Sequence, residues 1–158
     1  MRLKRHVVLM LGIALFAAAG PGYGGEIAII VNKENVIEDV SFRELAAIFK
    51  MEKKFWDDGK PIYLVTQESL TPEKEIILKT VYKMEDQELK KFWLAKIFQG
   101  TVTSFPKVIA SNQSVKAFVR QAPNALGYID ASYIDGSVKV LRVDGKLPGE
   151  DGYKLADG

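Results

Sequence analysis

The sequence predicts an α/β fold in which one central sheet is flanked by helices. Short apolar runs typical of buried strands, such as residues 26–31 and 62–65, alternate with segments that carry apolar residues at helical spacing. Turn signals, such as the Asp-Asp-Gly-Lys-Pro run at 57–61, separate the two kinds of segment. Strands that alternate with helices favour a sheet covered on both faces. Repeats, low-complexity tracts and linkers to a second domain are absent from the sequence, so we expect one domain.

The first half of the pattern consists of a strand, a helix, a second strand and two further helices. Ser41 and Glu44 have the spacing of a capping box and predict a helix that buries Leu45 and Phe49. The second strand covers 62–65. A threonine followed by a proline at 71–72 opens the next helix, and another helix runs from about 85 to 98 and stops at a glycine.

The second half has a shorter helix between strands. A strand is predicted at 108–110, and Ser111 or Asn112 then caps a helix with Val115 and Val119 on its apolar side. A turn at 123–127 leads into a strand at 128–129. The last predicted strand is a single segment at 138–143, ending at an Asp-Gly turn.

The N-terminal segment has the features of an export signal. Residues 1–6 are basic, residues 7–19 are apolar apart from one glycine, and three alanines close the run. The apolar run is about 13 residues, shorter than the ~18–20 that a membrane-spanning helix needs. We therefore predict a cleavable signal peptide and a flexible glycine-rich start over 1–25, a single domain over 26–158, and a periplasmic or otherwise exported location.

Composition excludes several classes of chemistry for the exported part. The chain has 22 Lys+Arg against 20 Asp+Glu, and removal of Arg2, Lys4 and Arg5 leaves 19 against 20, a net charge of −1. This balance gives no electrostatic footprint for nucleic acid. The chain has no cysteine, and its one histidine, His6, leaves with the signal. Cys/His zinc sites and nucleophiles activated by histidine are thereby excluded, so we expect a protein that is not an enzyme and has no cofactor or metal site.

Several segments together resemble the phosphate-binding family of type 2 periplasmic binding proteins, which serve ABC transporters. The similar segments are residues 29–35, 41–49, 55–62, 92–100 and 123–129, the last reading PNALGYI. The resemblance implies one lobe of that fold, with a mixed sheet of about four or five strands and helices on both faces. Members of the family have two lobes and about twice this length.

The resemblance also identifies a candidate ligand site. The family places an arginine and then Ser-Gly-Thr at a helix start, where this sequence reads TQESLT over 66–71. Ser69 and Thr71 match the serine and threonine, Leu70 replaces the glycine, and the arginine has no counterpart. A helix start with added hydroxyls is a suitable place for an oxyanion. The alternative is that Thr71 simply caps the helix that Pro72 begins.

Three further residues, in two parts of the chain, are candidates for the same cleft. Ser111 and Asn112 open another helix and could present a second set of amides, with an N-cap that binds no ligand as the alternative. Asn32 follows the first strand and could reach the cleft, because α/β sheets bind ligands beyond the carboxyl ends of their strands. A structural turn asparagine is the alternative there.

The resemblance implies a non-enzymatic, exported substrate-binding-like protein that holds phosphate or another small oxyanion. An ABC permease or another envelope protein would be its partner. A different class of function stays open: a ligand-free periplasmic protein-interaction module derived from one lobe, with a homodimer as a further form. An exposed apolar patch in place of a polar pocket would favour that alternative.

Overall fold

A computed structural model describes residues 25–157 of the chain. The predicted signal peptide therefore lies outside the described residues, as does the predicted glycine-rich start apart from Gly25. The strands are β1 (Ile27–Val31), β2 (Asp39–Val40), β3 (Tyr63–Gln67), β4 (Lys107–Ile109), β5 (Ala125–Asp130), β6 (Lys139–Val140) and β7 (Arg142–Val143). The helices are α1 (Phe42–Phe49), α2 (Pro72–Ile77), α3 (Asp86–Phe98) and α4 (Asn112–Gln121). A π-helical turn, Leu78–Tyr82, continues α2, and a 3₁₀ turn, Ala131–Tyr133, follows β5.

Five strands form one mixed sheet in the order β4-β3-β5-β1-β6. Strand β3 is parallel to both β4 and β5, whereas β1 is antiparallel to β5 and β6. In the register, Ile29 of β1 lies opposite Tyr128 of β5, and Tyr63 of β3 lies opposite Ala125. The predicted α/β fold with a mixed sheet of four to five strands is confirmed.

Helices cover both faces of this sheet, as the apolar character of β1 predicts. Ile27, Ile29 and Val31 point to a large core shared with α1, α2, the π-helical turn and α3. Ala28 and Ile30 point to a second core under α4. All five residues of β1 are buried, because a strand between two helical layers has no solvent-facing side.

The helix starts follow the sequence signals in part. The Ser41 hydroxyl accepts a hydrogen bond from the Glu44 N–H at 3.1 Å, as the first half of a capping box requires. The second half differs from the prediction, because the Glu44 carboxylate pairs with Lys53. Thr71 and Ser111 are the N-cap residues of α2 and α4.

The last predicted strand, 138–143, is divided between two sheets. Val140 in β6 pairs with β1, whereas Arg142 in β7 pairs with β2 in a separate two-stranded sheet. Leu141 lies between the two strands, fully buried, and its N–H donates to the Ile29 carbonyl at 2.9 Å. Burial of Leu141 in the larger core turns the chain there, so the segment changes partners although its residues read as one strand.

Candidate functional site

Four of the five predicted site residues lie at one edge of the sheet. Ser69 and Thr71 follow the carboxyl end of β3, and Ser111 and Asn112 follow the carboxyl end of β4. These strands are parallel neighbours, so their carboxyl ends meet. Asn32 follows β1, which runs antiparallel to β5, and it therefore lies at the opposite edge. The structure brings the first four residues together and does not bring Asn32 to them.

Asn32 joins the end of β1 to the end of α4. Its Nδ2 donates to the Val119 and Arg120 carbonyls at 3.1 and 2.8 Å, and its Oδ1 accepts from the Glu34 N–H at 2.9 Å. The side chain is buried. These contacts match the structural turn that the sequence allowed as the alternative.

Ser69 and Thr71 have different surroundings. The Thr71 hydroxyl donates to the Glu68 carbonyl at 3.0 Å and accepts from the Lys74 N–H at 3.2 Å, which is a helix cap. The Ser69 hydroxyl is exposed and donates to Asp86 Oδ1 on α3 at 2.8 Å. Ser69 therefore couples the start of α2 to the start of α3.

Ser111 and Asn112 are hydrogen-bonded within the chain. The Ser111 hydroxyl accepts from the Ser114 N–H at 3.2 Å as the cap of α4. The Asn112 Oδ1 accepts from Gln67 Nε2 at 2.9 Å and from the Asp130 N–H at 3.0 Å, while its Nδ2 donates to Glu73 Oε1 at 2.5 Å. Asn112 thus ties β3, β5 and α2 together at this edge.

A cleft opens beside Ser69, between α3 and the neighbouring strands β3 and β4. Its volume is about 200 Å³. We call it the Lys74 cleft. Its lining residues are Thr66, Gln67, Ser69, Lys74, Tyr82, Asp86, Leu89, Lys90, Trp93, Phe105, Pro106 and Val108.

Lys74 is the most unusual group in the cleft, because only 6% of this lysine is exposed. Its Nζ donates to Thr66 Oγ1 at 2.9 Å and lies 5.8 Å from the centroid of the Tyr82 ring. Within residues 25–157, no carboxylate lies at ion-pair distance from this ammonium. Desolvation lowers the pKa of Lys74 to about 8, against a smaller opposing effect of Asp86 and Glu75. The cleft therefore has a desolvated cation at its base.

The floor beneath Lys74 is a buried chain of hydroxyls. The Tyr128 hydroxyl lies 3.0 Å from Thr66 Oγ1 and accepts from the Gln67 N–H at 2.9 Å. Burial raises the pKa of Tyr128 to about 12, so this hydroxyl stays protonated at neutral pH. Thr66 is thereby held in place to accept from Lys74.

The charges at the mouth of the cleft neutralise each other. Lys90 Nζ lies 2.6 Å from Asp86 Oδ2. The Lys90 ammonium, hydrogen-bonded to Asp86, lowers the pKa of that carboxyl, and the Ser69 hydroxyl adds to the effect. Asp86 therefore forms its ion pair with Lys90, and it acts on Lys74 only through the smaller, opposing effect on the Lys74 pKa.

Neither a cluster of metal ligands nor a membrane-spanning helix is found within residues 25–157. No cluster of three or more His, Cys, Asp or Glu side chains there is arranged to hold a metal ion. Within the same residues, no helix has the length and apolar character that crossing a membrane requires.

Lys74 was not identified from the sequence as a site residue, although a signal was present. It precedes Leu78 by four residues and Val81 by seven, so it falls on the apolar face of its helix. A lysine at such a position is either a side chain that reaches the surface or a buried charge. Sequence periodicity does not distinguish these two cases.

Comparison with known proteins places the fold among phosphate receptors. No model of a known protein family matches the chain. A protein assigned as a phosphate ABC transporter substrate-binding protein from Clostridium perfringens, solved with bound phosphate, aligns with a TM-score of 0.65 and 23% identity. That alignment covers 78% of this chain and 47% of the other.

Two further solved structures give the same result. An ABC-type phosphate transport receptor from Vibrio cholerae aligns with a TM-score of 0.62 and 19% identity, over 78% of this chain and 48% of that one. PstS from Borrelia burgdorferi aligns with a TM-score of 0.63 and 19% identity, over 78% and 49%. The chain spans about half the length of these solved relatives. The resemblance to phosphate-type substrate-binding proteins is confirmed as a likeness of fold, for one lobe.

Proposed function

We propose that the protein is a non-enzymatic, exported substrate-binding-like protein that holds a small oxyanion beside the start of α2. The fold it shares with phosphate receptors supports a related binding role. An ABC permease is the partner that such a role implies. Inorganic phosphate is the first ligand to test, because the solved relatives are described as phosphate receptors.

The observation that carries the proposal is the buried ammonium of Lys74. A buried charge without an ionic partner is costly, and a bound anion would offset that cost. The sequence has no arginine at the family's position, so the cleft would otherwise lack a cation at its base. Lys74 supplies that charge from a position eight residues after Thr66, on the helix that begins beyond Thr71.

The four predicted residues at the carboxyl ends of β3 and β4 have different roles in the proposed site. They are Ser69, Thr71, Ser111 and Asn112. Ser69 is exposed and can turn its hydroxyl from Asp86 towards an anion. Thr71 and Ser111 hold the first turns of α2 and α4, whose N-termini favour negative charge. Asn112 fixes the position of these two helix starts relative to each other.

The proposal is tested by calorimetric titration of residues 26–158 with phosphate in a phosphate-free buffer, with sulfate as a second anion. Saturable binding is expected for the wild type and a loss of roughly tenfold or more in affinity for Lys74→Met, because a charge-assisted contact is removed. Lys79→Met is the matched control, since Lys79 is an exposed lysine on the same helical segment. The absence of heat at millimolar phosphate and sulfate would exclude inorganic oxyanion binding.

A ligand-free interaction module is the second candidate, and Leu70 is the observation that favours it. Leu70 lies between Ser69 and Thr71, is 86% exposed and has a left-handed backbone with φ of 69°. A large apolar side chain in such a conformation is uncommon, because the left-handed backbone brings Cβ too close to the following carbonyl oxygen. Sedimentation of wild type and Leu70→Asp distinguishes the candidates: self-association that the substitution removes would support docking of a second copy.

A further inference from the structure

The walls of the Lys74 cleft are apolar, although its base holds a cation. Tyr82, Leu89 and Trp93 are buried on the helical side. Phe105 and Val108 form the strand side and are 50% and 56% exposed. Inorganic phosphate presents oxygens in every direction, so these walls would remove water from its oxygens without replacing the lost hydrogen bonds.

The polar groups are gathered at one end of the cleft. Thr66 Oγ1 accepts from Lys74 Nζ, and Asp86, which accepts from the Ser69 hydroxyl and pairs with Lys90, is close enough to Lys74 to influence its pKa. Lys74 uses one of its three N–H donors on Thr66. A ligand suited to this distribution has an anionic head that meets the ammonium and a body that packs between the apolar walls.

The volume sets the size of that body. The cleft measures about 200 Å³, and an apolar cavity of about 150 Å³ accommodates benzene. One six-membered ring with a carboxylate therefore fits, whereas a long-chain ligand would extend beyond the cleft.

We propose that the Lys74 cleft binds a small monocarboxylate with an aromatic or branched apolar body, with the Lys74 ammonium pairing with the carboxylate. This inference rests on the proposed function, because it names the class of oxyanion that the binding protein takes. The carboxylate would reach Lys74 and the Ser69 hydroxyl. The body would lie between Trp93 and Phe105.

The experiment is calorimetric titration of residues 26–158 with benzoate, with its neutral analogue benzamide, and with inorganic phosphate. We expect benzoate to bind, benzamide to bind roughly tenfold more weakly or worse, and phosphate to bind more weakly than benzoate. Lys74→Met is expected to lower benzoate affinity roughly tenfold or more, and Lys79→Met to leave it unchanged.

A second variant keeps the test independent of the buried lysine. Val108→Glu adds a carboxylate at the exposed mouth of the cleft and should weaken benzoate binding several-fold through like-charge repulsion. Val36→Glu, at another exposed valine that does not line the cleft, should not. Thermal unfolding of each variant checks that the fold is retained.

The outcomes separate the two proposals. Phosphate binding without benzoate binding would overturn this inference and leave the proposed function standing. Absence of binding by either anion would refute both. Equal binding of benzoate and benzamide, or benzoate binding that survives Lys74→Met, would also overturn the assignment of the carboxylate to Lys74.

Discussion

The carboxamide of Asn112 accepts a 2.9 Å hydrogen bond from the side chain of Gln67, which joins the start of α4 to the end of β3. The same group accepts from the Asp130 N–H and donates to the buried Glu73 carboxylate. One side chain at a helix start therefore connects three other elements. Its sequence position suggests a ligand contact, and its geometry gives it a structural role at the same edge.

Asn112→Ala is expected to destabilise the protein by about 2–3 kcal/mol, since buried polar groups of Gln67 and Glu73 lose their partner. Urea unfolding followed by circular dichroism measures this loss. Ser114→Ala is the control, because Ser114 is an exposed polar residue in the first turn of the same helix. A loss for Asn112→Ala no greater than that of the control would contradict the structural role.

The titration of Lys74 should make stability rise with pH in the alkaline range. Its pKa is about 8 in the folded protein against 10.5 for the free side chain. Between these values the unfolded chain binds a proton that the folded protein has lost, so unfolding becomes less favourable as pH rises. From pH 8 to 10 the gain is about 2 kcal/mol.

The difference in the free energy of unfolding between the wild type and Lys74→Met, measured at each pH, isolates the contribution of Lys74. Asp86, Glu75 and Lys90 are the charged groups that act on the Lys74 ammonium, and they are present in both proteins, so the comparison cancels their contribution. We expect the variant to be the more stable protein at pH 7 and the difference to shrink towards pH 10. A difference that does not change with pH would mean that Lys74 titrates near its ordinary value. Measurements stop at pH 10, near the ordinary pKa of tyrosine, and ionisation of tyrosines in the unfolded chain up to that pH is common to both proteins.

Packing of α4 on the sheet depends on the absence of a side chain at Gly127. A Cβ there would lie 2.9 Å from Val115 Cγ1 and 3.3 Å from Val119 Cγ2. Gly127→Ala should therefore cost about 1–3 kcal/mol of stability through overpacking. Denaturant unfolding of the single variants and of the Gly127→Ala/Val115→Ala double variant tests this. The double variant should lose less than the sum of the singles, because Val115→Ala removes the closest atom. Additive losses would show that the contact is not the cause.

Much of the fold follows from local sequence signals. The apolar run that forms β1, the threonine-proline start of α2 and the serine that caps α4 each predicted an element that the structure contains. These signals work because burial on both faces and helix capping are local requirements, satisfied by neighbouring residues.

The candidate site was harder to predict because it depends on strand direction and on burial. Asn32 was expected near the cleft, and the antiparallel direction of β1 places it at the other edge. The residues of an apolar strand do not show whether that strand will run parallel or antiparallel to its neighbours in the sheet. Lys74 was missed for a related reason. A lysine on a helix is normally solvated, and the groups that this ammonium meets, the Thr66 hydroxyl and the Tyr82 ring, come together only in the folded protein.

Two exposed leucines should respond in opposite ways to the same substitution. Leu70 has a φ of 69°, where a side chain costs about 1–2 kcal/mol relative to glycine. Leu70→Gly removes this strain but also makes the unfolded chain more flexible, and we expect the relief of strain to be the larger free-energy change. Leu70→Gly should therefore leave stability unchanged or raise it by up to about 1 kcal/mol. Leu94 is 48% exposed within α3, and Leu94→Gly should cost about 1 kcal/mol through lost helix propensity. Urea unfolding midpoints of the two variants give the comparison. Equal destabilisation would mean that the Leu70 side chain makes stabilising contacts that outweigh its backbone strain, and the surface around Ser69 would then have a structural role of its own.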